Sequence, residues 1–441
     1  MQNTDALFRF IESSPTAFHA VEQMGRRLEE QGYCRLLEGE VWRLEQGGKY
    51  YVARNGSSLI AFRIPEGRPA GFQIMASHSD SPCLKIKENP ELTAENAYVK
   101  LNVEGYGGML QASWFDRPLS AAGRILVQSE DEIAVKLVNV NRDLLMIPSL
   151  AIHMNREANR GYVYNIQKDL TPLWGLLAEG EQGTGKFLDL IAREAGVKKE
   201  DILGSDLFVY NRMPGCVWGD REEFISIGRL DDLECVFASM EGFLKAQEGG
   251  SIPVCCVFDN EEVGSMTKQG AASTFLKDTL SGICEALGNT PSDFRRALAS
   301  SLMVSADNAR AVHPNDPGKS CPRNRPVINR GIVIKFSGNQ KYTSDALSAG
   351  MFRRICREAG VPTQVFTNRS DLAGGSTLGN LSSAQVAVHC VDIGLPQLAM
   401  HSSYETAGVR DLEYLIRAAK TFYEASLEET GAGRYRIRFG V

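Results

Sequence analysis

IPVCCVFDNEEVGS, Ile252 to Ser265, decides how this chain is read. An apolar run, IPVCCVF, drives straight into Asp259, Asn260 and two adjacent carboxylates, Glu261 and Glu262, and then a Gly-Ser turn. Short uninterrupted apolar runs belong to strands covered on both faces of a sheet. Open α/β sheets collect their ligands at the carboxyl ends of such strands. Two neighbouring carboxylates there repel each other and resist desolvation, so a cation or a shared proton has to relieve them. The competing reading is a solvated loop with two surface glutamates.

The arrangement recurs along the chain. GFQIMAS (Gly71 to Ser77) reads as a buried strand and runs into His78, Ser79 and Asp80. SLMVSAD ends at Asp307, ISIGRLDD reaches Asp231 and Asp232, and VDIGLPQLAM leads to His401. Imidazole is the commonest metal ligand and usually donates its second N–H to a carboxylate, which suits His78 as ligand and Asp80 as its orienter. Segments that end in His, Asp and Glu, with cysteine needed at none of these positions, point to divalent cations held by imidazole and carboxylate. Two His and three or four carboxylates exceed the three protein ligands of one catalytic zinc. Two ions fit better; such a pair polarises a carbonyl and activates water, and one carboxylate must bridge it.

Over nearly its whole length the chain also resembles the aspartyl aminopeptidases and their relatives among the co-catalytic zinc aminopeptidases. The resemblance rests on SPTAFHAV (Ser14 to Val21), HSDSPCLKIK (His78 to Lys87), IPSLAIHMNR (Ile147 to Arg156), GRLDDLE (Gly228 to Glu234), FDNEEVGS (Phe258 to Ser265), SADNARAVHPN (Ser305 to Asn315) and LAMHS (Leu398 to Ser402). It implies that Asp231 bridges two metal ions, with His78 and Asp307 completing one and Glu262 and His401 the other. It makes Glu261 the general base and Asp80 the carboxylate behind His78. Zinc is the metal implied, and carboxylate-rich ligation also admits manganese or cobalt. His153, by the same resemblance, reaches an active site across a dimer interface and helps stabilise the oxyanion; by residue type alone, interface packing is an equal reading. Lys335 takes the position that would bind an acidic substrate side chain, against the alternative of a solvated lysine.

The activity so implied is removal of an N-terminal residue, Asp or Glu, from peptides with a free N-terminus. A neutral or hydrophobic preference is one alternative, and a two-metal deacylase or carboxypeptidase is another. Three departures bear on this. Asp232 stands where the family's R-x-D-N-L motif has asparagine, SSYETAG follows His401 where relatives carry arginine and methionine, and Ala373-Gly374 replaces a common Pro-Cys pair.

Composition agrees with a sizeable soluble enzyme. A length of 441 residues suggests two or three domains. A net charge of −6 without a basic stripe argues against nucleic acid as partner. No run approaches a membrane span and the N-terminus lacks the apolar core of a signal peptide, so a cytoplasmic location is expected. The ten cysteines are scattered, without a C-x-x-C pair, and read as buried thiols of a reducing compartment. A tail with Glu179, Glu181 and GEQGTGKF has the wrong glycine spacing for a phosphate loop.

The expected fold is α/β, a mixed-sheet zinc-peptidase core with helices on both faces, built discontinuously from residues 1–90 and 222–441. Residues 91–221, with short alternating stretches such as AYVKLNVEGYGG, form a β-rich insertion. The family resemblance makes this insertion a dimerisation domain, in homo-oligomers whose dimers assemble into a tetrahedral dodecamer.

Overall fold

The Ile252–Phe258 run is a strand with all seven residues buried. It lies within a nine-stranded mixed sheet in the computed structural model, which describes residues 2–178, 180 and 183–440. Glu179 and Glu181 lie outside the described residues. Edge to edge, the strands are Cys34–Leu36, Lys49–Arg54, Ser58–Arg63, Ile252–Phe258, Phe72–His78, Leu302–Ala306, His389–Gly394, Ile332–Phe336 and Thr363–Thr367. The four from Ile252–Phe258 to His389–Gly394 run parallel. Their carboxyl ends therefore share one edge, where Phe258 pairs with His78.

Parallel strands require cover on both faces. Helices Ala17–Glu30, Leu230–Lys245, Ala346–Glu358 and Val409–Tyr423 share one apolar core on one face, and Phe275–Ala286 and Leu378–Gln385 contribute to a second core. Val409–Tyr423 buries Leu412, Leu415, Ile416, Ala419 and Phe422, the spacing of a single helical stripe. Burying each large apolar side chain contributes about 1.5–3 kcal/mol.

A second sheet has six strands, in the order Glu132–Asn139, Leu119–Ser129, Ile202–Asn211, Cys83–Ala94, Tyr98–Tyr106 and Leu173–Leu176, and is antiparallel throughout. It has its own core, into which helix Lys186–Ala195 sends Phe187, Leu190 and Ile191. Its strand Cys83–Ala94 starts soon after His78 and runs across position 91, so the two sheets meet beside the strand ends.

The last helix, Val409–Tyr423, is followed by a hairpin, Ala425–Gly431 with Arg434–Phe439. RYRIRF alternates charge and apolar side chains with a period of two, which suits a half-covered strand and not a helix. The strand His389–Gly394 starts three residues after Val386, the C-cap of helix Leu378–Gln385.

Candidate metal centre

At the shared edge, ligand atoms of His78, Asp231, Asp232 and Asp307 lie within 4.8 Å of one another. The same holds for His78, Glu261 and Glu262, and for Asp231, Glu262 and His401. All six residues proposed from sequence as ligands or base thus converge. They line a cavity of about 310 Å³ together with Arg310, Lys335 and Tyr342.

Asp231 stands between the two imidazoles. Its Oδ1 is 3.5 Å from His78 Nε2 and its Oδ2 is 3.5 Å from His401 Nε2. Each histidine is turned this way by its other nitrogen: His78 Nδ1 is 3.0 Å from the Asp80 carbonyl and His401 Nδ1 is 2.8 Å from the Gly108 carbonyl. A carbonyl only accepts, so both rings carry hydrogen on Nδ1 and present Nε2 to the cavity. Asp307 Oδ1 lies 3.9 Å from His78 Nε2, and Glu262 Oε1 lies 3.5 Å from His401 Nε2.

The backbone is bent to deliver these groups. Arg229, Asn260 and His401 all have left-handed torsions, with φ of 62°, 62° and 66°. Such conformations cost about 1–3 kcal/mol each and persist only where surrounding bonds enforce them. Two buried carboxylates supply such bonds. Asp80 accepts the backbone N–H groups of Glu261 and Glu262, each at 3.1 Å. Glu405 accepts those of His401 at 2.7 Å and Asp231 at 3.0 Å.

Charge makes the cluster's need for cations explicit. Burial, with Asp231 adding repulsion, raises the Glu262 carboxyl well above its usual value. Burial, reinforced by Asp307, Asp80 and Asp231 against the opposing pull of His78, pushes Glu261 up to about 8. For His401 the effect of burial is outweighed by Asp231 and Glu262, which raise it to about 10. Oδ1 of Asp231 and Oδ1 of Asp232 are both buried with no hydrogen-bond partner. Orphaned buried acceptors of this kind are costly unless a cation or a proton meets them. The donor set therefore fits divalent ions.

Asp232 does not face solvent: it is fully buried and its Oδ2 accepts the backbone N–H of His78 at 3.1 Å. Lys335 is buried too, 3% exposed, with Nζ 3.3 Å from Asp307 Oδ2 and 2.9 Å from the Asn308 carbonyl. Its charge already faces a carboxylate. Arg310 is exposed, and its guanidinium donates to Asn368 Oδ1 at 2.6 Å. Asn368 packs against Gly374, one of the departures from the family pattern, where a Cβ would strike its side-chain amide. His153 is not brought to the cavity; it is exposed on a loop beside Ile152 and Met154, which are 49% and 73% exposed. His19 is held neutral by burial, reinforced by Arg229, which lowers it to about 4, and it pairs with Thr16. Burial raises the Cys83 thiol, which keeps it protonated.

Sequence reasoning missed a contribution from the second sheet. The Tyr106 hydroxyl donates to Asp80 Oδ2 at 2.7 Å and Gly108 holds His401. Gly107, at φ 72°, lies so close that a Cβ would sit 3.1 Å from Glu262 Cβ. The Tyr-Gly-Gly spelling, a strand end followed by two residues without Cβ, is the signal for that close approach. Tyr106→Phe is expected to lower the affinity for divalent metal about tenfold, the low end of what outer partners of a metal site contribute. Zinc titration of the metal-stripped variant measures this.

Comparison with known proteins agrees with this donor set. A family model described as aminopeptidase I zinc metalloprotease (M18) matches residues 10–423. A probable M18 family aminopeptidase 2 of Clostridium acetobutylicum is 46% identical over 421 residues, covering 95% of this chain and 97% of that protein. Among solved structures, a chain of the Ape4 and Nbr1 complex superposes with a TM-score of 0.91 at 34% identity, covering 96% of this chain and 85% of that one. The mApe1 dodecamer of S. cerevisiae superposes with a TM-score of 0.83 at 26% identity, covering 95% of each chain. With the match spanning nearly the whole chain, and imidazoles and carboxylates converging where a zinc peptidase needs them, this protein belongs to the M18 family of zinc aminopeptidases.

Proposed function

We propose that the aminopeptidase reaction runs on two divalent ions that share Asp231, with His78 and Asp307 completing one site and Glu262 and His401 the other. The observation that carries this reading is the divided Asp231 carboxylate, with one oxygen facing each imidazole at 3.5 Å. When bound, such ions supply Lewis acidity toward a scissile carbonyl and acidify water toward neutrality. Glu261 takes the proton of the attacking water and returns it to the leaving amine. A carboxyl pushed upward by its surroundings suits both halves of that transfer. Asp80 grips the backbone of Glu261 and Glu262 together, so the base and the ligand keep separate positions. The family metal is zinc, and the carboxylate-rich donor set also accommodates manganese or cobalt.

The substrate reading is an acidic N-terminal residue, supported by two cations at the cavity, Lys335 and Arg310. Lys335 is the family-position candidate for the side-chain carboxylate; Arg310 is the more accessible charge. A panel of aminoacyl chromogenic substrates should give kcat/KM for Asp and Glu at least about tenfold above Leu. Arg310→Ala should shrink that ratio about tenfold, the value of one charge-assisted hydrogen bond. A panel led by Leu would establish the neutral preference instead, and hydrolysis confined to N-acylated or C-terminal substrates would establish a deacylase or carboxypeptidase.

For assembly, the solved mApe1 dodecamer and the exposed apolar side chains of residues 91–221 support a dimerisation role for that segment within a dodecamer. Ile133, Val135, Leu150, Ile152, Met154 and Val163 are each about half exposed or more, the composition of surface awaiting a partner. His153 lies among them, consistent with reaching a neighbouring subunit's oxyanion. No described helix is long and apolar enough to cross a membrane. The free cysteines support a reducing, cytoplasmic location.

A further inference from the structure

We propose that Glu405 is a positioning residue that keeps the bridging ligand Asp231 and the imidazole ligand His401 in register by clamping their backbones. This rests on the two-ion reading and assigns the device that holds its shared side. Glu405 is 1% exposed and begins the strand Glu405–Gly408, where it pairs with Ile227 of the strand Phe224–Ile227. That strand runs through Gly228 and the left-handed Arg229 into Asp231. Four residues before Glu405, His401 is itself left-handed. A single carboxylate thus stands where two strained deliveries meet. Its Oε2 accepts from the Asp231 N–H and its Oε1 from the His401 N–H.

The consequence lies in the side chains. The two residues joined through their backbones are the pair whose Oδ2 and Nε2 face each other at 3.5 Å. Because Glu405 binds N–H groups only, it leaves both ligand atoms open to a cation. Asp80 likewise accepts the backbone N–H groups of Glu261 and Glu262, together with the Tyr106 hydroxyl. Carboxylate chemistry is required at such a clamp, since it offers two acceptors and no donor. Glutamine keeps the size but turns an NH₂ toward one of the two N–H groups.

Zinc titration of the metal-stripped, full-length protein by calorimetry, with cobalt absorption as a second readout, tests the proposal. Wild type should take up two equivalents. Glu405→Gln should bind the equivalent that uses both Asp231 and His401 about 10–100-fold more weakly, the usual effect of losing an outer partner, with a smaller loss at the equivalent that shares only Asp231, and should lose or shift the cobalt bands of the first. Glu405→Asp, which keeps the charge but reaches only one N–H, should weaken the same equivalent to a lesser extent. Asp411→Asn is the control. Asp411 is also fully buried and accepts two backbone N–H groups, those of Asn329 and Gly331, away from the ligands. Its replacement should lower the melting temperature without changing zinc affinity. Two equivalents bound with wild-type affinity by Glu405→Gln, or a loss no greater than that of Asp411→Asn, would overturn the role of Glu405 alone. A wild type that takes up a single equivalent would overturn the two-ion reading itself, whatever the variants do.

Discussion

Glu261→Gln is expected to lower kcat by about 10²–10⁴-fold, the contribution of a positioned general acid–base group, while metal content stays at the wild-type level. Glutamine preserves the shape at the cavity wall but can neither take a proton from water nor return one to the amine. Metal retention follows from the proposed ligand set, since Glu262 and not Glu261 is placed against His401. The pH profile offers an independent check. Wild-type kcat/KM should fall on acidification as the base becomes protonated, and the residual rate of the variant should lose that limb. Near-normal turnover by Glu261→Gln would remove Glu261 from the reaction.

Asp231→Asn is expected to abolish activity by emptying both proposed sites, because in the two-ion reading one carboxylate serves the two. Plasma emission analysis should find less than half the wild-type metal, whereas loss of one equivalent alone would argue against a bridge. Stability should follow the metal. Each site filled about 100-fold above its Kd adds about 2.7 kcal/mol.

The metal-free protein should also show an unusual pH dependence. Glu261 is raised from 4.5 to about 8, mainly by burial, so the folded state binds its proton more tightly than the unfolded state does. Its stability contribution is present at low pH and is lost as pH rises through that window. His401, raised from 6.5 to about 10, acts with the same sign over its own window. Metal-stripped protein should therefore melt at a lower temperature near pH 8 than near pH 5.5, and zinc should reverse the difference. Thermal melts at the two pH values, with and without zinc, measure this. A metal-free melting temperature that rises with pH would contradict the charge description of the cluster.

The strand ends are legible in sequence because a buried parallel strand spells itself as an unbroken apolar run. The residue that follows such a run, as His78 and Asp307 do, inherits a defined place at the sheet edge. Asp231 and His401 are legible by residue type, although their delivery depends on left-handed turns that no periodicity announces. Tyr106, Gly108 and Glu405 are not legible in the same way. Tyr106 and Gly108 belong to a stretch that reads as a separate insertion, and only the meeting of the two sheets brings them to Asp80 and His401. Glu405 acts through backbone N–H groups, which are the same whatever side chains its partners carry. Lys335 is a further case: its place in the sequence does not reveal that folding buries it against Asp307 and the Asn308 carbonyl. The closing hairpin is readable after all, in the alternation of RYRIRF.

Anomalous diffraction at the zinc edge from crystals of the zinc-loaded protein would show whether two ions share Asp231. Two peaks about 3.5–4 Å apart are expected, one beside each oxygen of Asp231, the first also against His78 and Asp307 and the second against Glu262 and His401. A single peak, or two peaks of which one lies away from Asp231, would contradict that sharing.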